Sequence, residues 1–81
     1  MKTFRVTYGT RHDPLRATVV LEGLEEDAPI RPAMARQVAQ IACGHEFGVT
    51  VVDNKTGNGY RLYSDEPNSH RKVKEVNDGD D

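Results

Sequence analysis

Tryptophan is absent, cysteine occurs once, and Phe and Tyr together number only five in this chain. The lone thiol, Cys43, excludes an internal disulfide, so the fold has to rest on its core. A reducing compartment is the simpler setting for such a chain, because small secreted domains carry several bridges. No apolar run approaches the roughly 18 residues of a membrane span. The start, Met1-Lys2-Thr3-Phe4-Arg5, lacks the apolar stretch of a secretion signal. These absences set the expectation of a cytoplasmic protein with no membrane partner.

An excess of positive charge is also missing. Eleven Lys and Arg stand against 13 Asp and Glu, for a net charge of −2, which argues against a strongly basic nucleic-acid binder. With 81 residues there is room for one domain, near the lower end of what folds unaided. The charges are nevertheless grouped. Lys2, Arg5, Arg11 and Arg16 lie in the first 20 residues against Asp13 alone. Glu22, Glu25, Glu26 and Asp27 follow directly. Arg71, Lys72 and Lys74 precede Glu75, Asp78, Asp80 and Asp81.

What is present patterns into a small α+β domain. Lys2 to Tyr8 alternates, with Phe4, Val6 and Tyr8 on one side and Thr3, Arg5 and Thr7 on the other, as in a half-buried strand. Gly9 to Pro14 reads as a turn and Leu15 to Glu22 as a second strand, together an antiparallel hairpin. After a loop from Gly23 to Arg31, Pro32 suits the first position of a helix that runs to Cys43 and ends at Gly44. Val49 to Asp53 and Tyr60 to Ser64 flank the turn-rich Asn54 to Gly59 and form the clearest hairpin signal. The expected architecture is therefore two-layer β-β-α-β-β, one helix packed on a four-stranded, mainly antiparallel sheet spanning residues 1–65. Residues 66–81 read as a polar tail, with Val73 and Val76 able to support one short extra element. The expected core comprises Phe4, Val6, Tyr8, Ala17, Val19, Leu21, Met34, Val38, Ile41, Val49, Val51, Tyr60 and Leu62, with Arg36, Gln37 and Gln40 on the wet side of the helix.

Two regions are the candidate binding sites. The sheet face away from the helix would show Thr3, Arg5, Thr7, Arg16, Thr18, Thr50, Arg61 and Tyr63. Arginines pair with phosphates and a tyrosine stacks a base, although such residues also make an ordinary solvated strand face. The second region is the acidic loop of Glu22, Glu25, Glu26 and Asp27, joined by the acidic tail. Spaced carboxylates imitate phosphates or meet a basic partner, while negative charge near a helix N-terminus is also ordinary.

Three further motifs weigh less. Cys43-Gly44-His45-Glu46 holds metal-ligand types, but a structural zinc site needs four ligands, and His12 and His70 lack ligand spacing to His45. Gly57-Asn58-Gly59 leads into no helix and so fails the context of a phosphate loop. The basic run His70-Arg71-Lys72-Val73-Lys74 is followed at once by acids. No nucleophile has an identifiable base, so the expectation is no enzyme, no cofactor and no metal. It is instead a small protein-binding module that docks on a larger protein or complex. Compact cofactor-free domains of this size are common among phage and mobile-element inhibitors of host machinery, an analogy of size and composition. The alternatives are nucleic-acid binding through Arg5, Arg16, Arg61 and Tyr63, and a homodimer through an edge strand.

Overall fold

The computed structural model describes residues 1–63 and 73–77. The order is β1 (Lys2–Gly9), β2 (Pro14–Leu21), α1 (Pro32–Cys43), β3 (Val49–Asp53), β4 (Asn58–Leu62) and β5 (Val73–Asn77). The strands form one sheet in the order β2-β1-β3-β4-β5, and every neighbouring pair is antiparallel. Strands β2 and β3 are both antiparallel to β1, hence parallel to each other. The chain moves from one to the other through the helix, which packs against β1, β2, β3 and β4. The α+β class and the helix bounds are as the sequence implies.

The sheet has five strands, not four. The fifth lies within the stretch read as a tail. Val73 and Val76 are three residues apart, so they cannot share a face of a strand, and the alternation test misses them. Strand β5 sits at the sheet edge with Val73 and Val76 half-buried and Lys74 and Glu75 exposed. The remainder of the tail expectation, residues 66–72 and 78–81, lies outside the described residues, as does Ser64, the expected end of β4.

Local chemistry accounts for the element ends. Pro32 opens α1 without a side-chain cap, and the Ala35 N–H donates to the Arg31 carbonyl at 3.0 Å. Gly44 closes it at φ 80°, its N–H donating to Gln40. In the β3–β4 turn the Asp53 side chain accepts the Lys55 N–H and its carbonyl accepts the Gly57 N–H. Gly59 is required for a different reason. It pairs with Val52, and a Cβ there would fall 1.9 Å from the Val51 carbonyl oxygen.

The core is Phe4, Val6, Val19, Ile30, Ala35, Val38, Ala39, Val49, Val51 and Leu62. Tyr8, Leu21, Met34 and Tyr60 pack partly against it. Two expectations for the helix are reversed. The inward stripe is Ala35, Val38, Ala39 and Ala42, and Ile41 lies about 110° from its centre at 100° per residue; Ile41 is 56% exposed. Arg36 is buried rather than wet. Its guanidinium meets Glu46, itself buried and bonded by the Gln40 amide at 2.8 Å. This pair ties the helix to the segment that enters β3.

A second buried pair closes the other end of the sheet. Lys2 continues the inward alternation of β1, and its ammonium bonds the Asp53 carboxylate. Both side chains are 2% exposed. The same ammonium donates to the Glu26 carbonyl at 3.0 Å, and the terminal amine of Met1 donates to the Leu24 carbonyl at 2.8 Å. Breaking a buried pair strands a charge and costs about 3–5 kcal/mol. Lys2→Met should therefore destabilise the fold by that amount in urea unfolding, and adding Asp53→Leu should recover only part of the loss, because Asp53 also accepts the Lys55 N–H.

Candidate binding face

The face of the sheet opposite the helix is built by register. Alternation sends Phe4 and Val6 to the core and Thr3, Arg5 and Thr7 to the other side. The pairings then define a row straight across all five strands: Arg16 on β2, Thr7 on β1, Thr50 on β3, Arg61 on β4 and Lys74 on β5. With strands about 4.8 Å apart, the row is about 19 Å long. The adjoining row is Thr18, Arg5, Val52, Gly59 and Val76. Among the described strand residues this face carries Arg5, Arg16, Arg61 and Lys74 and no carboxylate. Glu75, the neighbour of Lys74, pairs with Tyr60 and points to the helix side.

Arg61 is oriented by two contacts. Its Nη1 donates to Thr50 Oγ1 at 3.0 Å, and its guanidinium lies 5.7 Å from the centre of the Tyr63 ring. Tyr63 is 47% exposed just beyond β4. Val52, opposite Arg5, is nearly covered although it lies on this outer side. A shallow depression of about 370 Å³ runs among Arg5, Arg16, Thr50, Arg61, Tyr63 and Lys74. The structure thus brings the four sequence-predicted residues Arg5, Arg16, Arg61 and Tyr63 onto one surface. Lys74 is the member that sequence reasoning assigned to the tail. The available signal was the pair Val73 and Val76, which do not alternate.

The acidic loop is elsewhere. Glu22, Glu25, Glu26 and Asp27 are exposed between β2 and α1, at the end of the sheet where β1 begins. Thr7 lies five residues along β1 from Lys2, about 17 Å at 3.4 Å per residue, so loop and cationic row form two regions. The loop is also partly neutralised. Lys55 from the β3–β4 turn donates to Asp27 at 2.7 Å and lies 3.8 Å from Glu26. Asp27 and Asp53 border a cleft of about 560 Å³ that continues along β4 and β5 to Glu75. Lysines already meet the first two of these acids.

The Cys43-Gly44-His45-Glu46 motif disperses. The Cys43 thiol donates to the Ala39 carbonyl at 3.3 Å, and Glu46 is held by Arg36 and Gln40. Among the described residues no three His, Cys, Asp or Glu side chains converge on one point. His70, Arg71 and Lys72 lie outside the described residues. No protein-family model, curated protein or solved structure matches the chain. Among the described residues no helix is long and apolar enough to cross a membrane.

The hydrogen bond from Lys55 holds the Asp27 carboxyl below its ordinary range, and the same contact raises the Lys55 ammonium. The contribution of Asp27 to stability is therefore complete above the ordinary carboxylate range and is lost as pH falls through its lowered value. That of Lys55 is complete below the ordinary lysine range and is lost as pH rises through its raised value. A carbon-detected NMR titration should find the Asp27 midpoint depressed and should find it moved upward in Lys55→Met.

Proposed function

We propose that the chain is a non-enzymatic binding module that docks through its open sheet face on an acidic surface of a larger protein or complex. The observation that carries this is the cross-strand row Arg16, Thr7, Thr50, Arg61 and Lys74 with Arg5 beside it, cationic and free of carboxylates among the described strand residues. Such a face attracts an acidic partner and fixes its register. Occlusion of that partner, in the manner of small inhibitors of host machinery, is the mode the flat surface suits. The setting proposed is the cytoplasm, where Cys43 stays a thiol. The acidic loop is the weaker half of the original pair of candidates, because Lys55 engages two of its four carboxylates.

Nucleic-acid binding is the second reading, and the Arg61–Tyr63 pair is what favours it. Sheet-based readers of single strands stack several bases on aromatic side chains. Here Phe4, Tyr8 and Tyr60 lie toward the core and exposed Phe47 sits in the loop before β3, so among the described residues Tyr63 is the one aromatic ring stacked with a cation of this face. That distribution favours the protein partner.

Affinity purification of the tagged chain from its native host should recover a stoichiometric protein. Lys74→Glu combined with Arg61→Gln should weaken its binding by roughly tenfold or more, with the thermal transition checked to show that the variant is folded. Retention of the partner at full strength by this variant would remove the face from the reading. In an electrophoretic shift assay at low salt, the second reading requires single-stranded DNA or RNA binding with a logarithmic salt slope of about −3 for four phosphate contacts. The protein reading expects no shifted band.

A further inference from the structure

We propose that the acidic segment Asp78-Gly79-Asp80-Asp81 folds back over the open sheet face and occupies its cations from β5 to β1, where an acidic partner must displace it. The contact stands without the docking reading; only its role as a competitor rests on that reading. The segment follows β5 directly and carries three carboxylates in four residues. Its choices are fixed by the point at which the chain leaves the sheet. Asn77, the last residue of β5, pairs with Asn58 and borders two depressions, one on each side of the sheet. Asp27, Asp53 and Glu75 line the cleft on the helix side. The lysines there, Lys2 and Lys55, already meet Asp53, Asp27 and Glu26. On the open side the depression is lined by Arg5, Arg16, Arg61 and Lys74 and, among the described residues, by no carboxylate. Like charge disfavours the first route and opposite charge favours the second.

Distance sets which cations the segment meets. Four extended residues span about 14 Å, and Gly79 lets the backbone turn over the sheet edge. From Asn77, Lys74 lies three residues back along β5, about 10 Å at 3.4 Å per residue. Arg61, one strand over, is about 11 Å away, and Arg5, three strands over, about 15 Å. The length of an arginine side chain closes the small remaining gap to Arg5. Arg16, four strands over at about 22 Å, lies outside that span and is left as the point of first contact for a partner. Exposed ion pairs are individually weak. Here they are intramolecular, and a tether this short holds the carboxylates at an effective concentration in the millimolar range. Three such pairs then suffice to compete with an acidic partner for the same cations.

Carbon-detected NMR of the full chain reads the contact directly. The Asp80 and Asp81 carboxyl midpoints should be lowered. They should move upward in Arg5→Gln but not in Arg16→Gln, a variant of equal charge, with the thermal transition of each checked for folding. Arg5 stands farther from Asn77 than the ~8 Å screening length at physiological salt, so a segment directed away from the face would not sense it. The midpoints should be independent of protein concentration. A labelled oligoglutamate peptide, titrated at physiological salt, reads the competition. Asp78→Asn with Asp80→Asn and Asp81→Asn should bind it about tenfold more tightly than the unaltered chain. Glu22→Gln with Glu25→Gln and Glu26→Gln removes as much charge from the distant loop and should change binding by less than about twofold. Midpoints indifferent to Arg5→Gln, midpoints that follow concentration and so report the segment of a second copy, or equal gains from the two triple variants would each overturn the proposal. Peptide binding by none of these proteins, with midpoints that respond to Arg5→Gln, would remove the docking reading and leave the contact in place.

Discussion

The ion pair between Lys2 and Asp53 is the constraint on which the rest of the structure turns. It joins the first residue of β1 to the last residue of β3 inside a site that water does not reach. Buried charge is tolerated only where it is paired and its remaining valences are filled. Here the Glu26 carbonyl takes a second bond from the ammonium, and the Lys55 N–H satisfies the other carboxylate oxygen. The pair therefore pins the β2–α1 loop to the sheet. That loop delivers the chain into the helix, so the helix's path across β1, β2, β3 and β4 is anchored at its start by Lys2 together with Met1 and Lys55, which also hold the loop. Arg36 and Glu46 repeat the device at its far end.

With the helix anchored over one side, the other side is left for strand residues of opposite parity. Its character follows from register more than from composition. The chain as a whole is slightly acidic, yet alternation sorts Arg5, Arg16, Arg61 and Lys74 together while Glu75 and Asp53 go to the helix side. Charge is thereby separated on a molecule whose Cα extents are 32 × 27 × 23 Å. Cations occupy an open face, and carboxylates gather in the loop at the end of the sheet where β1 begins. A separation of this kind suits recognition by position and charge, the chemistry on which the docking proposal rests.

Much of this was legible along the chain. Phe4, Val6 and Tyr8 announced β1, Pro32 and Gly44 bracketed the helix, and Arg5, Arg16, Arg61 and Tyr63 were assigned to the face where they lie. The failures share a cause. Ile41 is apolar but lies off the inward stripe, and Arg36 is charged but reaches a buried carboxylate, so hydropathy alone gave both the wrong side. Lys2 and Asp53 sit at inward positions by simple alternation, and only their charge argued otherwise. Strand β5 was legible only as an optional short element on Val73 and Val76, because an edge strand buries little on either face, which leaves the two valines without a shared period.

By itself the sequence determined the periodicities, the turn chemistry and the division into inward and outward strand positions, because these are local consequences of backbone geometry. The tertiary structure alone decided which charges face each other. Lys2 and Asp53 are 51 positions apart, and Arg16 and Lys74 share a row only through three intervening strands. Pairings of that range depend on strand order and register, and no local pattern encodes them.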